Sequence, residues 1–190
     1  GEIIFTSGGT EGDNLAVFGR LDNVGGVAVC SAIEHHAVLE PVVSRGGRMV
    51  GVDARGCIDM DDLASKLDPQ VTLVSVMTAN NEIGVIADLN SIAELVRVRA
   101  PNAILHTDAV QAFPWLDIAA HCAPADMVTI SAHKFGGPKG VGAVVLRDGT
   151  DVSPRQIGGG QERERRSGTQ NVAGIVAMAR AAQSTVDDRI

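Results

Sequence analysis

The sequence predicts an α/β fold, a three-layer α/β/α sandwich on a mainly parallel seven-stranded sheet. Short β-branched runs alternate with longer helix-like stretches along the whole chain, the order that produces parallel strands with crossover helices. The runs are continuously apolar rather than alternating, as strands buried on both faces must be. A hydrophobic fraction of 45% over 190 residues suffices for one sizeable core. Aromatic residues make up only 3% and Tyr is absent, so that core is built from Val, Ile, Leu and Ala.

Taken in order, the candidate strands are residues 2–6, 27–31, 48–52, 72–77, 103–107, 127–131 and 141–146. Candidate helices lie between them at 11–19, 36–45, 61–66, 91–99 and 110–116, with a last one over 168–186. Ser91 with Glu94 forms a capping box that predicts a helix start, and Pro101 marks the end of that helix. No internal repeat or low-complexity segment interrupts this pattern. Gly1-Glu2 leads straight into a strand and the chain stops in or just after a helix, so it reads equally as complete or as a fragment.

Charge and cysteine usage narrow the function classes. A net charge of -7 argues against nucleic-acid binding, whose footprint is basic. Cys30, Cys57 and Cys122 are widely spaced with no CxxC pair, which suggests neither a disulfide framework nor a zinc site. No apolar run reaches about 18 residues, and no basic-then-apolar leader is legible. The expectation is a cytoplasmic protein with no membrane contact and no metal.

The residues that can carry chemistry fall where strands end, the edge at which parallel sheets bind ligands. Ser7-Gly8-Gly9-Thr10-Glu11 follows the first strand and opens a helix, so it reads either as a plain turn or as an anion cradle of free N–H groups plus the Thr10 hydroxyl. It matches neither the Rossmann nor the P-loop spacing. Glu34-His35-His36 follows the second strand; adjacent histidines on a helix cannot face one point, so a two-His metal site is not expected, whereas one imidazole can lie over an aromatic ligand. Asn80-Asn81-Glu82 closes the fourth strand with amides able to bond a ring substituent, or simply with a polar turn. Asp108 ends the fifth strand within an apolar run, where a carboxylate needs a cationic partner. Gln111 lies on the same side if a helix begins there. Ser131-Ala132-His133-Lys134 ends the sixth strand: apolar surroundings can keep Lys134 neutral enough to form an imine, and Ser131 and His133 can donate to a phosphate. A Schiff-base lysine, an acid for a pyridinium nitrogen and a phosphate cradle are the parts of a pyridoxal-phosphate (PLP) site. The charged loop ending in Ser167-Gly168-Thr169 reads as solvated or as a further anion-binding helix start.

In order and spacing the chain resembles the cysteine desulfurases, of the class V aminotransferase group of fold-type I PLP enzymes. The matching segments are TSGGTEGDNL (6–15), EHHAVLEP (34–41), NNEIG (80–84), HTDAVQ (106–111), SAHKFGGPKGVGA (131–143) and GGGQERERRSGTQNV (158–172). The resemblance implies that residues 1–190 form the PLP-binding large domain. It implies that Lys134 holds the cofactor as a Schiff base and moves protons at the substrate carbon. It makes Asp108 the partner of the pyridine nitrogen and His35 the stacking residue with a share in proton transfer. Gln111 and Asn81 contact the ring oxygen or the substrate side, and Gly9, Thr10, Ser131 and His133 hold the phosphate. The position of Thr169 reaches the phosphate of a partner subunit's cofactor, which implies a homodimer. The implied reaction takes sulfur from L-cysteine as an enzyme persulfide, leaves alanine, and delivers the sulfur to an iron–sulfur scaffold or a tRNA-thiolation partner.

Departures from the family pattern also carry information. Gly12 stands where serine is common, a mild change. None of Cys30, Cys57 and Cys122 matches the family's nucleophilic cysteine, and the carboxylate-binding arginine of the C-terminal part has no counterpart, nor do the first sixty or so family residues. The expectation is a fragment that binds cofactor at best and does not complete desulfuration. A selenocysteine lyase or class V aminotransferase shares Lys134 and Asp108 and is the alternative enzyme, and a cofactor-less dimerisation domain is the non-enzyme alternative.

Overall fold

The structure, a computed structural model, describes residues 1–189. Seven strands form one sheet: β1 (Glu2–Thr6), β2 (Val27–Ser31), β3 (Arg48–Val50), β4 (Val71–Ser75), β5 (Ile104–Asp108), β6 (Met127–Ser131) and β7 (Gly142–Leu146). Their spatial order is β1-β7-β6-β5-β4-β2-β3. Strand β7 runs antiparallel to β1 and β6, and every other pair is parallel. The exception follows from chain length. Only residues 132–141 join β6 to β7, too few for a crossover of about a dozen residues or more, and Gly136, Gly137, Pro138 and Gly140 turn the chain back within them.

The helices are α1 (Gly9–Val24), α2 (His36–Ser44), α3 (Met60–Lys66), α4 (Leu89–Arg99), α5 (Ile118–His121) and α6 (Val172–Asp187). Because successive strand residues point to opposite faces, β2 sends Ala28 and Cys30 to one side and Val29 to the other. On the first side Leu15 and Val17 of α1 and Val38 and Val42 of α2 pack on Leu73, Met127 and Val144. On the second side Leu63 of α3 and Leu89, Ile92 and Val96 of α4 pack on Val50, Val74 and Leu105. A smaller cluster seats Met178 of α6 against Ala132, Phe135, Val141 and Ala143. The expected three-layer sandwich is thus the fold adopted.

Three helix expectations need correction. No helix forms over residues 110–116; isolated turns close from Phe113 N–H to the Ala109 carbonyl and from Leu116 N–H to the Ala112 carbonyl, both at 2.9 Å. Pro114 accounts for this, since it lacks an N–H and disfavours the helical region at the residue before it. Helix α4 begins at Leu89 rather than Ser91: the carboxylate of Asp88 accepts from Ser91 N–H at 3.2 Å and from the Ser91 hydroxyl at 2.6 Å, displacing the anticipated capping box. Helix α6 starts at Val172, with Asn171 as its cap accepting from Gly174 N–H at 3.0 Å. Gly168, at φ +114°, cannot belong to it. Strand β3 also ends two residues early, at Val50.

Two packing features set the stability of the site's framework. Helix α1 lies so close to the sheet that a Cβ on Gly12 would stand 2.7 Å from the Thr129 methyl and 3.0 Å from a Val144 methyl. The serine common at this position is therefore more than a mild change here. Second, His106 in β5 is fully buried, its Nδ1 2.8 Å from the Ser75 hydroxyl and its Nε2 2.9 Å from that of Thr129. Burial pushes its pKa down to about 3.

Both features are testable by urea unfolding. Gly12→Ala should cost about 1–3 kcal/mol by overpacking despite a better helix propensity, and Thr129→Ser, which removes the opposing methyl, should recover part of that loss. For His106 the unfolded state takes up a proton below about 6.5 while the folded state does not, so stability should be full above that pH and fall as pH drops toward 3. The loss should be on the order of 4–5 kcal/mol, and His106→Asn should flatten this acid limb.

Candidate active site

The carboxyl ends of the parallel strands open onto a cleft of about 260 Å³. Eight of the ten residues anticipated for the site line it: Gly9, Thr10, His35, Asn81, Asp108, Gln111, His133 and Lys134. Ser131 stands just behind, and Thr169 lies elsewhere. Each arrives on its own element. Gly9 and Thr10 form the first turn of α1, His35 caps α2, Asn81 follows β4, Asp108 ends β5, and Lys134 closes a short 3₁₀ turn over Ala132–Lys134.

The N-terminus of α1 is the one α-helix start among the described residues without a side-chain cap. Its cap residue, Gly8, has φ +153°, ψ -177°, a conformation that L side chains rarely adopt. Ser131 borders this turn, since a Cβ on Gly9 would stand 3.6 Å from the Ser131 Cβ. The Ser131 hydroxyl is 2.9 Å from His133 Nδ1, so it orients that imidazole while remaining buried. The unmet N–H groups of α1, its dipole and the Thr10 hydroxyl therefore face the cleft as an anion-binding end.

On the floor, Asp108 is 4% exposed. One of its oxygens, Oδ1, accepts from Val110 N–H at 2.8 Å, and no cation lies within ion-pair distance among the described residues. Burial raises its pKa, opposed by the Val110 hydrogen bond and by His35 and Lys134. Lys134 makes no hydrogen bond or ion pair among the described residues, and the buried Phe135 behind it stacks on Phe113 with ring centroids 4.2 Å apart. His35 Nδ1 accepts from Ala37 N–H at 3.1 Å, which puts the proton of the neutral ring on Nε2. His36 instead points away to Glu40, 3.5 Å distant and exposed.

The neighbours of these residues divide their labour. Asn80 is structural: its amide nitrogen donates to the Ile33 carbonyl at 2.8 Å and its oxygen accepts from Glu82 and Ile83 N–H, each at 2.9 Å, leaving Asn81 to face the cleft. Gln111 reaches the cleft from the turns after β5, not from a helix. Glu34 is buried and ties the loop after β2 to β4 by accepting from Met77 N–H at 2.7 Å. Thr169 lines a separate cleft of about 120 Å³ with Thr6, Ser7 and Arg166. Arg166 there grips Glu11 through two hydrogen bonds of 2.8 and 3.2 Å.

Asp13, Met77 and Val110 also line the central cleft and were not anticipated. For Asp13 a signal existed. It sits four residues after Gly9 and four before the apolar Val17, on the helix face that turns inward. No cysteine lines the cleft; Cys30 and Cys122 are buried, and burial pushes the Cys30 thiol up to about 12. Among the described residues no group of His, Cys, Asp and Glu could hold a metal ion, and no helix is long and apolar enough to cross a membrane.

Comparison with known proteins agrees with this geometry. Residues 1–187 match the family model described as aminotransferase class-V. The cysteine desulfurase IscS of Dictyoglomus turgidum is 42% identical over 193 residues, an alignment covering 97% of this chain and 48% of that protein. A cysteine desulfurase of Bradyrhizobium diazoefficiens is 43% identical over 189 residues, covering 96% and 48%. Among solved structures, a NifS-like protein superposes with a TM-score of 0.91 at 38% identity, covering 98% of this chain and 53% of that one. SspA in complex with cysteine superposes at 0.83 with 31% identity, covering 95% and 55%. The chain spans about half the length of the curated relatives it matches. With its sheet order, its strand-end cleft and a match over nearly every residue, the chain belongs to the class-V aminotransferase family.

Proposed function

We propose that this chain is the PLP-binding large domain of a cysteine desulfurase, in which L-cysteine and an enzyme thiol become L-alanine and an enzyme persulfide. The observation that carries this reading is the convergence of Lys134 and Asp108, a free cation and an under-paired carboxyl, on one cleft with the uncapped end of α1. The names of the relatives support the chemistry, and the cysteine in the SspA complex supports the substrate.

The residues fit PLP on physical grounds. The free N–H groups of α1 with Gly9, Thr10, Ser131 and His133 suit a phosphate dianion. Asp108, buried without a cation among the described residues, suits a protonated ring nitrogen, and the flat face of His35 suits stacking on an aromatic ring. Asn81 and Gln111 supply amides for the ring oxygen and the substrate. When bound, the cofactor supplies an electron sink for charge developing at the substrate Cα. Lys134 would hold it and, with His35, would take the proton from the substrate Cα and return one to the product. Asp108 would pair with the protonated ring nitrogen and keep the ring cationic.

The thiol that accepts sulfur lies outside the residues of this cleft, since none of its lining residues is a cysteine. Thr169, exposed in its own cleft beside Arg166, would serve a partner's phosphate in a homodimer. The persulfide sulfur then passes to an iron–sulfur scaffold or a tRNA-thiolation partner.

Titration of the purified protein with PLP, followed by borohydride and peptide mass mapping, tests the reading. A visible absorbance band that disappears on reduction and a pyridoxyl adduct on Lys134 are expected, with both absent in Lys134→Ala. An adduct on Lys66 or Lys139, or a band that persists in Lys134→Ala, overturns the assignment.

A further inference from the structure

Asp13 enters the cleft from α1, 1% exposed, and the role proposed for PLP does not use it. Its oxygen Oδ1 has no hydrogen-bond partner and stands 3.7 Å from His106 Nε2, beyond bonding distance. The polar groups behind it form a chain of hydroxyls and imidazole. With His106 neutral, the Ser75 hydroxyl donates to Nδ1, Nε2–H donates to the Thr129 hydroxyl, and that hydroxyl is left to donate toward the Asp13 carboxyl. Ser75, His106 and Thr129 are then satisfied without a charge, and Oδ1 of Asp13, buried on the His106 side, is the oxygen left unmatched.

The acids around Asp13 do not favour a second negative charge. Asp108 of β5 and Glu34 after β2 are its acidic neighbours, His106 of β5 and Thr129 of β6 face it from behind, and Lys134 and His35 stand across the cleft nearer Asp108. Two buried carboxyls beside one cleft cannot both ionise freely. Asp108 is the better-stabilised member, because Val110 N–H and the cationic side of the cleft face it, whereas Oδ1 of Asp13 has nothing.

We propose that Asp13 is a positioning residue of this site, the protonated member of a carboxyl pair, so that Asp108 alone carries the negative charge offered to a cationic heteroaromatic ring. The ligand class rests on the PLP reading above; the protonation of Asp13 does not. As a neutral acid lining the cleft, Asp13 provides a hydroxyl donor where an ionised carboxylate would provide a second, competing charge. An asparagine should imitate it and a leucine should not.

Carbon-13 spectra of the full chain, labelled at the aspartate carboxyls and free of cofactor, test the protonation directly. One aspartate should remain protonated at neutral pH, and its resonance should vanish in Asp13→Asn. Loss of that resonance in Asp108→Asn instead, or no protonated aspartate at neutral pH, overturns the proposal. PLP binding, followed by equilibrium titration, tests the positioning role. Asp13→Asn should bind within about threefold of the unaltered protein, and Asp13→Leu, with its folding checked by thermal unfolding, should bind at least about tenfold more weakly. An Asp13→Asn loss as large as that of Asp108→Asn means that Asp13 works as an anion and overturns the proposal. Failure of the unaltered protein to bind PLP refutes the cofactor reading alone, since the carboxyl spectra are recorded without it.

Discussion

Asp108 holds a carboxyl group at the end of a central strand with one backbone N–H to support it and almost no water around it. A charge so poorly paired in a folded core costs several kcal/mol, so the fold must either neutralise it or reserve it for a cation that arrives later. On the proposed reading the surroundings follow the second course. Lys134 and His35 face Asp108 from across a cleft rather than pairing with it in the core, and Val110 N–H keeps its carboxyl aimed outward. The rest of the site is arranged around that one unmet demand.

Parallel topology makes this arrangement possible. Strands β2, β4, β5 and β6 all end at one edge of the sheet, so loops that are 25 or more residues apart in the chain deliver His35, Asn81, Asp108 and Lys134 to one place. The two apolar layers, α1 with α2 and α3 with α4, hold the strands rigid from both sides. Function is left to short segments beyond the strand ends, which carry the polar residues that neither layer could bury.

Helix α1 links stability to the site. Its glycines are used for approach: Gly12 lets the helix settle on Thr129 and Val144, and the backbone of Gly8 sits so near β7 that a Cβ on Gly142 would be 2.9 Å from it. That contact brings the uncapped N-terminus to the ends of β6 and β7, beside Ser131. The same close packing carries Asp13 into the cleft, with Thr129 and His106 stacked behind as polar support in an otherwise aliphatic core. A larger residue at position 12 would loosen both.

Much of this was legible beforehand. The strands were found to within a few residues because continuous β-branched runs bounded by turn residues carry a local signal, and eight of ten anticipated site residues meet because strand ends in a parallel sheet share an edge. The misses have local causes too: Pro114 broke a periodic stretch, and the Asp88 carboxylate outcompeted a weaker capping pattern at Ser91. Thr169, expected to serve a partner subunit rather than this cleft, lies in a separate cleft, and no linear pattern shows which face its loop turns to. Asp13 was missed because its alignment with Gly9 and Val17 is a weak cue against the solvent-facing reading of an acidic residue within a helix. By itself, then, the sequence determined the elements, their alternation and the residue types at their ends, all of which depend on neighbours a few positions away. Only the tertiary structure decided which ends converge, how completely each carboxyl is stripped of water and which charges are left without partners, because distance and desolvation are set by residues remote in the chain.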